Sequence, residues 1–242
     1  DSEAVRAILH IGKKMAQGRF VTANDGNITA RVGEDAVWAT PTGVNKGDLS
    51  PDKLIKLRIS DGRILEGTWK PTSEMDMHLS IYRADDRIMS TAHAHPVNLT
   101  ALACAGITLD LPTTPAACCL SGVVPVIPYR CSGSRELAAS VIPYVKDYHV
   151  VNLGNHGPIA WGESLMEAWF RLEDAEASAE IALKLLSLGR LRPLSKPQVE
   201  ELFAFHHISM PAAARMDQYP ETDNQREAVL FSDLMRGSAE NA

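Results

Sequence analysis

The sequence predicts a single α/β domain, and three observations carry that reading. Short strand-like runs alternate with helical stripes along most of the chain, one long helix closes the series, and no internal repeat or low-complexity linker intervenes before about residue 190. The 242 residues fall near the ~250 that one hydrophobic core can organise. An apolar fraction of 45% is enough to build such a core.

The elements follow in order. Val5, Ile8, Leu9, Gly12, Met15 and Ala16 form a helical stripe that Gly18 stops. "ITARV" and "AVWAT" read as strands around the turn "GED", and Ser50-Pro51 opens a short helix. "KLRISDGRILEG" reads as a hairpin turning at Asp61-Gly62. In "PTSEMDMHLSIYRA", Ser73 and Asp76 are spaced as a capping box, and Met75, Leu79 and Tyr82 share a helical face. "RIMSTAHAH" is a strand, "PVNLTALACAG" a helix, "VVPVIPY" a strand, and "GSRELAASVIPYVKD" a helix kinked at Pro143. "YHVVNLG" and "GPIAW" are strands flanking "NHG". The closing helix starts at Ser164 with Glu167 as its box partner and stops at Gly189. Residues 1–192 are thereby expected to form the domain, and 193–242 a partly irregular extension whose end, "RGSAENA", reads as a frayed tail. Strand directions are not readable from such patterns.

Composition excludes several function classes. A net charge of −6 without a Lys/Arg run argues against nucleic acid and anionic membrane surfaces as partners. No apolar run approaches the ~20 residues of a membrane span, and the amino terminus is amphipathic rather than signal-like. Cys104, Cys118, Cys119 and Cys131 have no metal-type spacing, and they read as small buried thiols in a reducing cytoplasm.

The chemistry-bearing residues come next. On a strand, His93 and His95 would turn both rings to one face, which suits a metal ion but equally describes two polar strand residues. His156, in the Gly-flanked turn "LGNHGPIAW", is by itself an ordinary turn residue. Joined to the other two it completes a His₃ set of the kind that leaves an open position on a catalytic zinc. Glu74, in a first helical turn, stabilises the helix dipole. Thr72 and Ser73 immediately before it make the same helix end an anion site. The loops "NDGNIT" and "TPTGVNKGD", with Gly26-Asn27 and Thr42-Gly43, add neutral donors able to hold a phosphate without a lysine cluster.

In this order the motifs "DGNITAR", "ATPTGVNKGDL", "PTSEMDMHLSIYRADDRIMSTAHAHPVNLTALA", "IPYRCSGSREL" and "VVNLGNHGPIAWGESLMEAW" resemble the class II aldolase/adducin family, and within it the fuculose phosphate aldolases. The likeness spans roughly residues 4 to 188. It implies a three-layer α/β/α domain with a central, mainly antiparallel sheet. It implies His93, His95 and His156 as ligands of Zn²⁺, with Mn²⁺ or Co²⁺ as alternatives. Glu74 matches the catalytic acid/base, and Gly26, Asn27, Thr42, Gly43, Thr72 and Ser73 match the positions that bind substrate phosphate. A homotetramer with active sites at subunit interfaces, acting on a small-molecule sugar phosphate, follows from the same likeness, and the cysteine pattern places it in the cytoplasm.

The implied reaction is cleavage of a ketose 1-phosphate to dihydroxyacetone phosphate and an aldehyde. Carbon–carbon cleavage leaves a carbanion that a Lewis-acidic metal stabilises as an enediolate, with Glu74 moving the proton. One departure stands out: where the resemblance implies a tyrosine acid, this chain has "LPTTPAACCLSG", leaving Tyr129 or Tyr219 as substitutes. Decarboxylation of a sugar-acid phosphate needs the same metal site and is the alternative. Epimerisation of a pentulose phosphate is disfavoured because the epimerases of the family carry Asp where Glu74 stands. An adducin-like interaction module would not need the three histidines, and a Schiff-base aldolase on Lys46 or Lys70 would leave them unexplained.

Overall fold

The computed structural model describes residues 1–110 and 113–208. Eight strands form one sheet, and its centre is built first in sequence. β1 (Asn27–Arg31) pairs with β2 (Ala36–Ala39) across the expected turn, and β2 with β3 (Ile55–Arg58), which returns through Asp61-Gly62 to β4 (Ile64–Glu66). On its other side β1 pairs with β5 (Ser90–His93), and β5 with β8 (Gly157–Gly162). β7 (Val150–Leu153) and β6 (Val126–Ile127) complete the order β4-β3-β2-β1-β5-β8-β7-β6. All neighbours are antiparallel except β6 and β7, so the sheet is mixed rather than wholly antiparallel. The segment between those two strands contains the helix α5 (Arg135–Val141), as a parallel connection requires; the remaining helices are numbered around it in chain order.

Strand alternation sends side chains into two cores. In β8, Ala160 faces one and Ile159 and Trp161 face the other. The first core is covered by α1 (Ser2–Gln17), α3 (Val97–Ala105) and the 24-residue α6 (Leu165–Leu188). There Trp169, 1% exposed, packs its ring 4.8 Å from that of Phe20. The second core lies under α2 (Met75–Ala84) and α5, with Leu79, Ile81, Tyr82 and Leu137 buried. Helices on both faces of one sheet give the three layers.

Several local expectations change. Ser73 does not cap α2: Glu74 occupies the N-cap position, and it is the Thr72 hydroxyl that accepts the Glu74 N–H at 3.3 Å. At α6, Ser164 accepts from the Glu167 N–H at 3.1 Å, but the Glu167 carboxylate reaches back to the N–H of Glu163 instead of Ser164. Pro143, with no N–H to give, ends α5 in a 3₁₀ turn (Ile142–Tyr144). "VVPVIPY" contributes only a two-residue strand. A short helix, α4 (Pro115–Cys119), capped by Thr114, forms in a segment to which the sequence reading assigns no element.

Beyond Pro193 the chain is not irregular at first: α7 (Lys196–Phe205) starts with a Ser195/Gln198 capping box and seats Val199 and Phe203 in the first core. The expected tail "RGSAENA" lies outside the described residues, as does Tyr219. Of the cysteines, only Cys118 is buried; Cys104 and Cys131 are exposed because they fall on the solvent sides of α3 and of a loop. No helix among the described residues is long and apolar enough to cross a membrane.

Candidate active site

The candidate residues gather where the central strands begin and end. In register, His93 at the end of β5 stands between Asn27 of β1 and Ile159 of β8. His95 is not on the strand. It lies two residues beyond it, where its N–H donates to the Phe20 carbonyl at 2.9 Å. The following helix α3 is pinned by Glu176 of α6, whose carboxylate accepts from the N–H groups of Asn98 and Leu99 at 3.0 and 2.8 Å. The β7–β8 turn supplies His156, with Asn155 before it in the left-handed region at φ 56°. A methyl group at Gly157 would stand 2.6 Å from the Ala94 carbonyl oxygen and 2.8 Å from the His95 ring, so only glycine lets this turn approach the His95 loop.

The three imidazoles form a triangle with centroids 4.8 to 4.9 Å apart. Their ligand atoms all lie within 4.8 Å of one another. His93 donates its Nδ1–H to the Pro158 carbonyl at 2.9 Å, which leaves Nε2 as a bare acceptor directed inward. The Nδ1 of His95 faces Asp25 at 3.5 Å, and its Nε2 stands 3.0 Å from that of His93. Burial lowers the pKa of His93 to about 3 and pushes that of His95 down, so both are neutral near pH 7, as ligation requires. Neutral nitrogens on a tetrahedral Zn²⁺ at about 2.0 Å would stand about 3.3 Å apart, so this donor set fits a divalent ion.

Glu74 closes the fourth side. It is 6% exposed, its Oε1 lies 3.1 Å from His156 Nε2, and its Oε2 lies 3.4 Å from His93 Nε2. Asn27 Nδ2 donates to Oε2 at 3.0 Å and the Ser132 hydroxyl to Oε1 at 2.8 Å. Burial works against the charge, while the hydrogen bonds from His156 and the Asn27 amide favour it, and the Glu74 pKa lies well below the usual carboxylate range.

Of the other predicted residues, Gly26, Asn27 and Thr72 lie against the same place. Gly26 is at φ 73°, and a methyl there would meet Val21 at 2.6 Å and the His93 carbonyl oxygen at 2.9 Å. Asn27 also donates to Thr72 Oγ1 at 3.2 Å, so this side chain links the first glycine loop to both Thr72 and Glu74. Thr42 and Gly43 are exposed, with the Thr42 N–H on the Lys70 carbonyl at 3.0 Å, and Ser73 is exposed next to Thr72. Tyr129 is 60% exposed.

Four contributors escaped the sequence reading. Ser132 sits inside "IPYRCSGSREL", where a serine among loop residues carries no signal of its contact with Glu74. Asp25 precedes the glycine that was noted. His78 is not singled out by the sequence reading, although its place one turn after Glu74 is the available clue. Lys46, read only as a rejected Schiff-base candidate, is 1% exposed and donates to the carbonyls of Asn24 and Val44 at 3.0 and 2.6 Å, fastening the two glycine loops together.

Residues 6–183 match the family described as the class II aldolase and adducin N-terminal domain. A 3-oxo-tetronate 4-phosphate decarboxylase of Pectobacterium atrosepticum is 32% identical over 84% of this chain and 93% of its own. An L-fuculose phosphate aldolase of Methanocaldococcus jannaschii is 30% identical over 74% and 94%. Among solved structures, an L-fuculose 1-phosphate aldolase superposes with a TM-score of 0.79 at 25% identity, covering 86% of this chain and 98% of that one. Decarboxylase and aldolase are both carbon–carbon lyases, and the three-histidine site suits the metal dependence expected of them. The chain belongs to the class II aldolase/adducin family, as a metal-dependent lyase.

Proposed function

We propose that the protein decarboxylates a 3-oxo sugar-acid phosphate, releasing CO₂ and a ketose phosphate such as dihydroxyacetone phosphate. The observation that carries this reading is the Glu74 carboxyl within 3.4 Å of His93 and His156, two of three converging histidines. The decarboxylase branch is favoured over the aldolase first expected for two reasons. The Pectobacterium relative at 32% identity is a decarboxylase. In addition, an aldolase needs an acid at the aldehyde oxygen, and three of the four described tyrosines are committed elsewhere. Tyr82 is buried against Thr29, Tyr144 and Tyr148 pack on each other, and Tyr129 faces solvent.

A divalent ion on His93, His95 and His156 would supply Lewis acidity to the substrate carbonyl. Thr72, Ser73, Thr42 and the Gly26 and Gly43 loops hold the phosphate, anchoring the reacting carbons beside Glu74. When the bond to the carboxylate breaks, its electron pair moves into the adjacent carbonyl and CO₂ leaves. The carbon that lost CO₂ takes up one proton, which comes from solvent and which Glu74, ionised at rest, is placed to relay, with Ser132 steadying Oε1. The same reading takes zinc as the resident ion, with Mn²⁺ or Co²⁺ as substitutes, in a cytoplasmic homotetramer with active sites at subunit interfaces.

The test is product analysis of the metal-loaded protein with oxo-acid phosphates and ketose 1-phosphates side by side. CO₂ and dihydroxyacetone phosphate in equal amounts from the oxo-acid, lost in Glu74→Gln, is the expected result. Triose phosphate with an aldehyde from a ketose 1-phosphate would return the assignment to the aldolase.

A further inference from the structure

We infer that His78 is a positioning residue for Glu74, holding the Asn27 carboxamide in the one orientation that donates to both Glu74 and Thr72. This rests on the acid/base role proposed for Glu74.

His78 is on α2, one turn after Glu74, and is wholly buried. Its Nε2 contacts Asn27 Oδ1 and its Nδ1 stands 2.5 Å from Thr91 Oγ1, so both ring nitrogens are used away from the three-histidine cluster. The direction of each bond follows from its neighbour. A carboxylate only accepts, so the Asn27 atom beside Glu74 Oε2 is the NH₂ group and the atom facing His78 is the carbonyl oxygen. That oxygen demands a hydrogen on His78 Nε2. In a neutral ring Nδ1 is then bare and accepts from Thr91. Thr91 in turn accepts from Thr29 at 2.5 Å, and Thr29 from Tyr82 at 2.7 Å. Donors therefore run one way, Tyr82 to Thr29 to Thr91 to His78 to Asn27 to Glu74.

The protonation states agree with this order. Burial lowers the His78 pKa to about 4 and pushes the Tyr82 phenol well up, leaving the ring neutral and the hydroxyl protonated at pH 7. Tyr82, Thr29, Thr91 and His78 are all fully buried, and Asn27 is 4% exposed, so solvent has little access to substitute for a missing member. Were Asn27 to turn over, its carbonyl oxygen would face the Glu74 carboxylate, acceptor against acceptor, and Thr72 would lose its donor. Four polar side chains in the middle of a core that Met77, Leu79 and Ile81 fill with carbon are accounted for by this single task.

The test uses the zinc-loaded chain. Long-range ¹H–¹⁵N correlation of labelled histidine should show His78 neutral with its hydrogen on Nε2; a hydrogen on Nδ1 would overturn the proposal. His78→Phe should lower kcat about 100-fold with KM within about threefold and metal content unchanged, and should shift the ¹³C resonance of the Glu74 carboxyl. Thr91→Val keeps volume, removes the donor to His78, and should lower kcat about tenfold in the same pattern; it decides the matter if His78→Phe does not fold. Wild-type kcat and an unmoved Glu74 resonance in the variants would overturn the relay. The tautomer and the carboxyl resonance are read without substrate. If both behave as stated while no sugar phosphate is turned over, the reaction assigned above fails and the positioning of Glu74 stands.

Discussion

Asn27 Nδ2 and Glu74 Oε2 stand 3.0 Å apart, a buried contact across 47 residues of sequence that ties the first strand of the sheet to the start of α2. The bond is charge-assisted, since a neutral amide donates to an ionised carboxylate. Asn27→Asp replaces the donor by a second buried carboxylate. The expected cost is about 3 kcal/mol of stability, with the Glu74 pKa raised by the like charge. Urea unfolding at pH 7, compared with Asn27→Ala, checks both the size and the electrostatic origin.

The second prediction concerns the ion. Because three neutral imidazoles converge within 4.8 Å, His93→Ala and His156→Ala should each lose bound metal after dialysis while the wild type retains about one equivalent. Chelation of the wild type should lower its unfolding midpoint, since a ligand at 100 times its Kd stabilises by about 2.7 kcal/mol. Elemental analysis and a thermal melt measure the two effects.

Gly157 tests the geometry of the turn. Its replacement by alanine forces a methyl against the Ala94 carbonyl oxygen and the His95 ring, at 2.6 and 2.8 Å. Gly157→Ala should weaken metal binding at least about tenfold, as misplaced ligands do. Gly33→Ala, with nothing within 4 Å of the new methyl, should leave metal affinity unchanged. Competition with a zinc-binding dye separates them.

Lys46 gives a pH signature. Burial lowers its pKa to about 8 from 10.5, with Asp25 opposing, so between those values the unfolded chain binds more protons than the folded one. Its contribution to stability therefore rises as pH climbs from about 8 to 10.5 and is lost as pH falls through 8. Relative to Lys46→Met, the wild type should gain stability between pH 7.5 and 10, as read by urea midpoints. A constant difference would mean that the buried ammonium has an ordinary pKa.

Much of this was legible in the sequence, for identifiable reasons. Period-two and period-3.6 patterns located β1, β2, the Asp61-Gly62 hairpin, α1 and α6, because those elements have one buried face and obvious stops. α4 is too short to show a period, and α7 was passed over although Ser195 and Gln198 spell its capping box. The three histidines were found as a set, but for a partly wrong reason. His95 is aimed by the loop bonded to Phe20 and not by strand alternation. Strand direction, and hence the parallel β6–β7 pair, depends on long-range pairing that no local pattern encodes. Ser132 carries no signal in the sequence, and His78 only its spacing from Glu74, because their contacts to Glu74 and Asn27 exist only in the folded chain.

The most direct measurement of the central claim, a metal site with Glu74 moving a proton at the carbon beside the carbonyl, leaves the choice between decarboxylase and aldolase aside. Dihydroxyacetone phosphate is incubated in D₂O with the metal-loaded protein, and its hydroxymethyl hydrogens are followed by NMR. The account predicts uptake of one deuterium per molecule, abolished by chelation and in Glu74→Gln. No exchange by the metal-loaded protein, or exchange that survives Glu74→Gln, would contradict it.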